Sequence, residues 1–340
     1  MPNKRVSIKD IARVAGVSHP TVSRALRGQG RMSDVTRERI IAIAQEMGYT
    51  PSLVARGLVT QRSHLIGLIV TQFSDPFNTE VAEGIEDEAL RHGYTLFLAS
   101  TRGVDPEREV QVVREMQGRQ VDGIIVSSSR VGSRYADLLD EIGIPIVLIN
   151  NHAGGANVHG IYHDDYHGAR QMVDHLLAQG RQHIAFLGNG RAGRAQSERQ
   201  RGWSDAMLTA GSLIDVIAFG SNGRMAGGAE GAQKLLALAD LRWSHAPDAI
   251  CCYNDAMAIG AMKVLRRQGL RIPEDVAITG FDDIEMAAYV CPPLTTFHQP
   301  RYEMGVESMK IMLQALEGGH KSEQPVNIVM HGELVARESA

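Results

Sequence analysis

The alternation of short apolar runs with helical stretches from Leu65 onward constrains the fold of this chain more than any other feature. Eight runs rich in Ile and Val are typical of β-strands: LIGLIV, YTLFLAS, GIIVSSS, IPIVLIN, HIAFLGN, DVIAFG, AICCYN and VAITGF. Helical stretches such as VAEGIEDEALRHG and ARQMVDHLLAQG lie between them. Strands flanked in this way by helices predict an α/β fold of doubly wound parallel sheets. Roughly ten strands in about 275 residues predict two such lobes.

The N-terminal segment differs from this body in charge. Residues 1–62 contain 11 Lys and Arg against 4 Asp and Glu, a net charge of +7. The remainder contains 24 against 35, a net charge of −11. A basic segment on an acidic body indicates a polyanionic partner for that segment, although a merely solvated basic surface would have the same charge.

Three helices are predicted within the basic segment. They cover about residues 8–15, 18–26 and 33–48. Gly16 can adopt the tight turn after the first helix, and Ser33 is the expected N-cap of the third. Ser18, or alternatively His19, caps the second helix, and Pro20 lies in its first turn, where a proline costs little. Two short helices joined by a turn that contains glycine predict an all-α helix-turn-helix head.

A helix-turn-helix inserts the N-terminus of its second helix into the DNA major groove. The candidate DNA contacts on that helix are Ser18, His19, Pro20, Thr21, Ser23 and Arg24. Arg24 could read a guanine through two N–H groups, and His19 could donate or accept a hydrogen bond. Pro20 can make only apolar contact, for example with a thymine methyl group. Thr21 and Ser23 are expected to bind phosphate.

The segment SIKDIARVAGVSHPTVSRAL resembles the DNA-binding head of the lactose-repressor and galactose-repressor family of bacterial transcription regulators. PSLVARGLVTQRSHLIGLIV resembles that family's hinge, in which VARGL occupies the place of a helix that forms on the operator. The resemblance implies that Leu58 wedges into the minor groove, and Arg56 in a basic linker fits such a contact. Without the preceding head, an ordinary linker would explain the same residues. The implied boundaries are residues 1–50 for the head and 51–63 for the hinge.

Residues 64–340 resemble the family's effector-binding and dimerisation domain, which is itself similar to a periplasmic sugar-binding protein. CYNDAMAIGAMKVLRRQGLRIPEDVAITGFDDIEMA and PPLTTFHQP carry this resemblance. Such a fold implies that the chain crosses three times between two lobes, here near Tyr162, Ile284 and Val326, with the ligand in the cleft between them. Lobe 1 is therefore expected at about residues 64–162 and 285–325, and lobe 2 at about residues 163–284 and 326–340.

The resemblance also implies a set of ligand contacts in the cleft: Phe77, Asn150, Arg199, Asn254 and Asp282. All but Phe77 and Arg199 directly follow apolar strands, where ligands of open α/β sheets bind. A carboxylate, an amide and a guanidinium around one cleft are what a polyhydroxyl ligand requires. Asp255 and Asp283 are expected to cap the helices that follow them. Asp282 could do so too, but its position at a strand end favours a ligand role.

The loop after DVIAFG departs from the family's pattern. Many sugar-binding relatives have an aromatic residue there, but this loop reads SNGRMAGGAEG, with Gly223 and Arg224. If Arg224 and Arg130 face the cleft, they favour an acidic ligand such as a sugar acid or a sugar phosphate. Taken singly, each is more typical of a solvated surface arginine.

Two further motifs carry weaker signals. GNGRAG, residues 188–193, satisfies the GxGxxG pattern, but the acidic partner of a dinucleotide site is not clearly placed. HDDYH, residues 163–167, resembles a metal cluster, yet Asp164 or Asp165 is better explained as the cap of the next helix. No nucleophile, base and orienting group can be placed together. We therefore expect no enzyme activity, cofactor or metal.

Cysteine usage and hydropathy indicate the compartment. Adjacent Cys251 and Cys252 lie in an apolar run and are expected to be buried free thiols, which favours a reducing environment. No apolar run approaches the roughly 20 residues of a membrane span. MPNKRVSIKD lacks the apolar core of a signal peptide. The expectation is a cytoplasmic protein without a membrane partner.

These features together predict a ligand-responsive transcription regulator, which the resemblance makes a repressor. A homodimer would present two heads to a palindromic operator in double-stranded DNA, and a sugar, sugar acid or sugar phosphate would control the affinity. Release by the ligand and co-repression are both compatible with this sequence, as are a dimer and a tetramer. A stand-alone sugar-binding protein would lack the helix-turn-helix, and a nicotinamide enzyme would need the acidic partner to GNGRAG.

Overall fold

A computed structural model of the chain describes residues 6–26, 28–49, 62–103, 106–127, 142–152, 157–211, 216–242, 247–318 and 325–340. The chain divides into two compact units, Met1–Ser63 and His64–Ala340. Three residues named above, Arg56, Leu58 and Arg130, lie outside the described residues.

The first unit contains three helices: α1 (Ile8–Ala15), α2 (His19–Leu26) and α3 (Asp34–Glu46). Gly16 ends α1 in a left-handed conformation with φ 64°, as its position predicts. The Ser18 hydroxyl accepts a hydrogen bond from the Thr21 N–H at 3.4 Å, and Ser33 caps α3 in the same way through the Thr36 N–H. Both predicted caps are confirmed, and with them the start of each helix.

The second unit is an α/β body. Its helices are α4 (Pro76–Arg91), α5 (Pro106–Gly118), α6 (Asp165–Ala178), α7 (Arg194–Thr209), α8 (Met225–Arg242), α9 (Asp255–Arg267), α10 (Glu285–Tyr289) and α11 (Arg301–Glu317). Its strands are β1 (Leu65–Val70), β2 (Thr95–Ser100), β3 (Gly123–Ser127), β4 (Ile146–Ile149), β5 (Val158–His163), β6 (Ile184–Asn189), β7 (Ile217–Gly220), β8 (Ala249–Cys252), β9 (Ala277–Thr279), β10 (Thr296–His298), β11 (Asn327–Met330) and β12 (Glu333–Val335).

Two parallel sheets define two lobes. The sheet of the first lobe has the order β11-β5-β4-β3-β1-β2, and that of the second lobe has the order β7-β6-β8-β9. A third, antiparallel pair joins β10 to β12. All eight strands predicted from the apolar runs are present, which confirms the doubly wound parallel architecture. The four missed strands are β5, which is polar, and β10, β11 and β12, whose few apolar residues are flanked by polar ones and form no long apolar run.

The lobe boundaries differ from the expected ones at two places. Ala287 and Leu294 are buried in the apolar core of the second lobe, so residues 285–298 belong there and not to lobe 1. The crossing expected near Ile284 therefore lies after β10. Strand β11 pairs with β5 in the first sheet, which moves the crossing expected near Val326 to the segment after β11.

The three cysteines of the chain differ in burial. Cys251 and Cys252 on β8 are buried free thiols, as expected, whereas Cys291 is exposed. Across the described ranges, no helix combines the length and the apolar character needed to cross a membrane.

Helices α4 and α11 of the first lobe pack backbone to backbone through two glycines. A Cβ atom at Gly84 would overlap the carbonyl oxygen of Tyr302, and one at Gly305 would overlap the carbonyl oxygen of Val81. Backbone cannot move aside as a flexible side chain can, so this contact requires glycine at both positions.

We expect Gly84→Ala to lower the free energy of unfolding of the full chain by about 1–3 kcal/mol, because the added methyl group forces the two helices apart. Gly118→Ala is the matched control, since nothing lies within 4 Å of a Cβ built at that helical glycine. It should be neutral or stabilising by up to about 1 kcal/mol. Urea unfolding of both variants measures the difference, and equal effects would contradict the close packing.

Candidate functional sites

The outer face of α2 presents the candidate DNA contacts. Val22 and Ala25 are buried in the core of the head, which leaves the opposite face of the helix to solvent. Ser18, His19, Pro20 and Arg24 are exposed, and Thr21 and Ser23 are half-buried. The burial pattern of α2 thus leaves exposed polar residues at the N-terminal end that a helix-turn-helix inserts into the major groove, and an exposed cation, Arg24, in the last turn.

Two local contacts shape this surface. The Ser18 and Thr21 hydroxyls lie 2.8 Å apart, and the Arg24 Nε donates to the Pro20 carbonyl at 3.4 Å. The guanidinium of Arg24 therefore lies alongside the first turn of the helix, and among the described residues it forms no ion pair. Its charge is available to a base edge or a phosphate.

Arg199, on α7, is the centre of a buried cluster in the body and is only 3% exposed. Its Nε donates to Asp165 Oδ1 at 2.8 Å, and its Nη1 donates to the Tyr253 carbonyl at 2.6 Å and to Asp282 Oδ1 at 3.5 Å. The guanidinium carbon also lies 3.8 Å from the ring centroid of Phe281. One side chain thus connects α6 with the loops that follow β8 and β9.

The two carboxylates that share Arg199 differ in protonation. Burial raises the pKa of Asp165, but Arg199 and the neighbouring His163 outweigh it and bring that pKa below its usual value. Burial also raises the pKa of Asp282, and the charges of Arg199 and Arg301 offset only part of the increase. Asp165 therefore holds the negative charge that neutralises Arg199, while Asp282 retains a proton more readily.

The backbone at Asp282 is unusual for a residue with a side chain. Its φ is 116°, and its N–H donates to the Phe297 carbonyl at 2.9 Å. Gln299 Nε2 donates to Asp282 Oδ1 at 2.5 Å, while Gln299 Oε1 is buried without a hydrogen-bond partner. Positive φ at such a residue persists only where surrounding contacts fix it, and it occurs often at functional sites. Gln299 was missed from sequence because β10, which it follows, was not predicted.

Asn254 is the N-cap of α9 rather than a free amide. Its Oδ1 accepts from the Met257 N–H at 3.0 Å, and its Nδ2 donates to the Gly223 carbonyl at 3.0 Å. The expected cap at Asp255 was therefore wrong by one position, because the helix begins with Asn254 in extended conformation. Asp255 is fully buried instead and accepts from the Thr296 hydroxyl at 2.5 Å.

The expected cap at Asp283 was also wrong. The N-cap of α10 is Ile284, with no side-chain hydrogen bond. Asp283 instead forms an ion pair with Arg337 at 2.6 Å, which ties the C-terminal segment to the second lobe.

The first lobe contributes polar groups from the carboxyl ends of β1 and β4. Asn150 directly follows β4 with φ 59°, and its Oδ1 is buried without a hydrogen-bond partner. Asp75 caps α4 by accepting from the Phe77 N–H at 3.2 Å. Burial raises the pKa of Asp75, and the charges of Arg224, Arg301 and Arg199 oppose that increase, so this carboxyl lies near arginines of both lobes. Sequence reasoning missed Asp75.

Phe77 lies in the apolar core of the first lobe and is 6% exposed. Its ring packs among buried side chains that include Val81 and Met304. Of the residues expected around the ligand, Arg199 and Asp282 are thus in direct contact, Asn150 lies at a strand end of the first lobe, and Phe77 is a core residue.

The two weaker motifs have structural roles. Asp164 caps α6, as one of the two expected alternatives, by accepting from the His167 N–H at 3.2 Å. GNGRAG forms the turn between β6 and α7 and so positions the helix that carries Arg199. In the part of the chain that the structure describes, no three His, Cys, Asp or Glu side chains gather as metal ligands would.

The raised pKa of Asp282 predicts a pH dependence. The folded chain binds this proton more tightly than the unfolded chain, so its contribution to stability is fully present below the usual carboxyl pKa and is lost as the pH rises toward the folded value. Wild type should therefore lose stability relative to Asp282→Asn between about pH 4 and about pH 8.

Urea unfolding of both proteins at several pH values measures this difference. Asp174→Asn, which changes an exposed carboxylate on α6, is the control and should give a curve parallel to wild type. A constant difference between wild type and Asp282→Asn across the range would contradict the raised pKa.

Comparisons with known proteins agree with this arrangement. The family described as "Bacterial regulatory proteins, lacI family" matches residues 7–52, and the "Periplasmic binding protein-like domain" matches residues 173–340. The HTH-type transcriptional repressor PurR of Vibrio vulnificus is 33% identical over 335 residues, 98% of each chain. The HTH-type transcriptional regulator DegA of Bacillus subtilis is 34% identical over 339 residues, again 98% of each chain.

Two solved structures extend the similarity to three dimensions. The lac repressor dimer bound to operator and the anti-inducer ONPF superposes with a TM-score of 0.88, at 26% identity and 99% coverage of each chain. The transcriptional regulator CelR in complex with cellobiose gives a TM-score of 0.74, at 28% identity, with 99% of this chain and 100% of that chain covered. Similarity over nearly the whole length, in both units, establishes that this chain belongs to the lactose-repressor family of transcriptional regulators.

Proposed function

We propose that this protein is a transcriptional repressor whose affinity for an operator is controlled by a sugar or sugar derivative bound between the two lobes. One observation carries the proposal: a set of buried polar atoms without hydrogen-bond partners at the carboxyl ends of β4, β9 and β10. The set comprises Asn150 Oδ1, Thr279 Oγ1 and Gln299 Oε1. Each such atom costs free energy until a donor or acceptor reaches it, and ligand hydroxyl groups supply both.

Arg199 and Asp282 have complementary roles in this proposal. Arg199 is fixed by Asp165 and by the Tyr253 carbonyl, so it presents a preorganised cation to ligand oxygens. Asp282, with its raised pKa, can both donate to and accept from a hydroxyl. The cellobiose complex of CelR, a structural relative, supports a sugar-type effector. Asn254 acts indirectly, by holding the Gly223 carbonyl.

The DNA partner follows from the exposed face of α2. His19, Pro20 and Arg24 would contact base edges, and Ser18, Thr21 and Ser23 would bind phosphates and fix the register. The operator-bound dimer of the lac repressor supports binding as a homodimer, and two symmetric heads require a palindromic site. In the hinge, Arg56 and Leu58 would bind the minor groove. Such a protein acts in the cytoplasm, where bacterial DNA lies.

The coupling between effector and DNA would run through the segments that join the lobes. Asp282 and Gln299 both lie close to the second crossing, so a ligand bound to them changes the relative stability of open and closed lobes. By linkage, the factor by which the effector changes DNA affinity equals the factor by which DNA changes effector affinity.

Selection of duplexes from a random DNA pool by the purified chain tests the proposal directly. We expect a palindromic consensus. Arg24→Ala should weaken binding to that site by about 1–3 kcal/mol and relax the preference at one base pair of each half-site, because a bidentate base contact is lost. Arg13→Ala removes the same charge from an exposed position on α1 and is the matched control. Failure to select any consensus would reject the function.

Leu58→Ala tests the hinge. If Leu58 wedges between base steps, the variant should bind the selected operator more weakly, since the kinked DNA loses its apolar support. Effector binding, followed as a rise in the melting temperature with a panel of sugars, should stay at the wild-type level. Unchanged operator affinity would assign residues 51–63 to a simple linker.

A further inference from the structure

Arg224 connects the two lobes across the mouth of the cleft. It lies at the start of α8 in the second lobe, and its backbone N–H donates to Asn222 Oδ1 at 3.0 Å. Its Nη2 reaches the first lobe, where it donates to Gln72 Oε1 and to the Ser74 hydroxyl, the latter at 3.1 Å. Both acceptors follow β1, at the end of the sheet where ligands of α/β folds bind.

The partners of Arg224 differ in charge from those of the other two cleft arginines. Arg199 is paired with Asp165 at 2.8 Å, and Arg301 is paired with Glu80 at 2.8 Å. Arg224 takes part in no ion pair of the described residues, and its two acceptors are neutral. A guanidinium binds a carboxylate or a phosphate more strongly than neutral oxygens, because such bonds are charge-assisted and bidentate.

Two side-chain amides lie beside Gly223, the residue that precedes Arg224. A Cβ atom at Gly223 would lie 2.9 Å from Asn189 Nδ2 and 3.5 Å from Asn254 Nδ2, so amide groups border the space that a side chain there would need. The Oδ1 atom of Asn189 accepts a hydrogen bond from the Arg191 N–H, so the NH₂ group of Asn189 points away from Arg191. The Asn254 amide already donates to the Gly223 carbonyl. The Asn189 amide beside Arg224 is therefore the one that favours a ligand group that only accepts hydrogen bonds.

We propose that the effector carries an anionic group, a carboxylate or a phosphate, which binds Arg224 in place of Gln72 and Ser74. The proposal rests on the proposed function and names the ligand class of the same cleft. Without effector, the bond from Arg224 to Gln72 holds the lobes together. With effector, the anion takes over that guanidinium and replaces a neutral contact by an ionic one.

Two variants remove the same hydrogen bond between the lobes but should differ in their affinity for the anion. Arg224→Gln removes the cation, whereas Gln72→Ala removes only the competing acceptor and leaves the cation free. Thermal unfolding of the full chain is followed in titrations with inorganic phosphate and with D-gluconate, at constant ionic strength, and with neutral D-glucitol as the control ligand. The phosphate and gluconate arms distinguish the two sources of the anion.

We expect at least one of the two anions to stabilise wild type more than D-glucitol does. Arg224→Gln should weaken the apparent affinity for that anion about tenfold or more, because a charge-assisted bond is lost. Gln72→Ala should bind it as tightly as wild type or more tightly, since competition is relieved.

Three outcomes would overturn the proposal: equal stabilisation by anions and D-glucitol or none by any of them, an unchanged affinity in Arg224→Gln, or equal weakening in both variants. The last outcome would make Arg224 a purely structural bond. None of these results affects the selection of an operator by the head, so failure of this inference is distinguishable from failure of the proposed function.

Discussion

The second lobe and the cleft depend on the ion pair and the hydrogen bonds that the buried guanidinium of Arg199 forms. A buried cation is stable only when a counter-charge and further acceptors surround it, and here Asp165 and the Tyr253 carbonyl provide them at 2.8 and 2.6 Å. Asp165 belongs to α6 and Tyr253 to the loop after β8, so the two bonds of Arg199 fix both segments against α7. The remaining carboxyl, Asp282, lies 3.5 Å from the same guanidinium and retains its proton more readily, because burial raises its pKa.

One of these residues, Asp282, contacts the segment in which the chain passes between the lobes. Gln299 donates to Asp282 and lies two residues before Arg301. Arg301 is 2% exposed, donates to the Asp283 carbonyl of the second lobe at 2.8 Å and pairs with Glu80 of the first lobe. Residues of the proposed ligand site and interlobe contacts therefore lie close together in sequence. In the proposed function, a ligand that bonds Asp282 or Gln299 would alter the contacts of the crossing segment. Ligand binding would in this way change the relative position of the lobes.

Much of the local structure followed from the sequence because its causes are local. The caps at Ser18 and Ser33 act on N–H groups three residues away, and the turn at Gly16 needs only a residue that tolerates positive φ. The eight apolar runs could be recognised as strands because each spans six or seven residues rich in apolar side chains. Three of the four missed strands, β10 to β12, lie outside any such run, because polar residues flank their few apolar ones.

The sequence by itself determined the two-part organisation, the helix-turn-helix, the parallel sheets and the presence of Arg199 and Asp282 among the candidate ligand residues. Tertiary structure alone decided which lobe holds residues 285–298 and β11, and what the acidic residues beside the strands do. Asp255 accepts a bond from Thr296, 41 residues away, and Asp283 pairs with Arg337, 54 residues away. A carboxylate next to a helix start has a local partner and a distant one within reach, and only the packing of the whole lobe determines which of them lowers the free energy more.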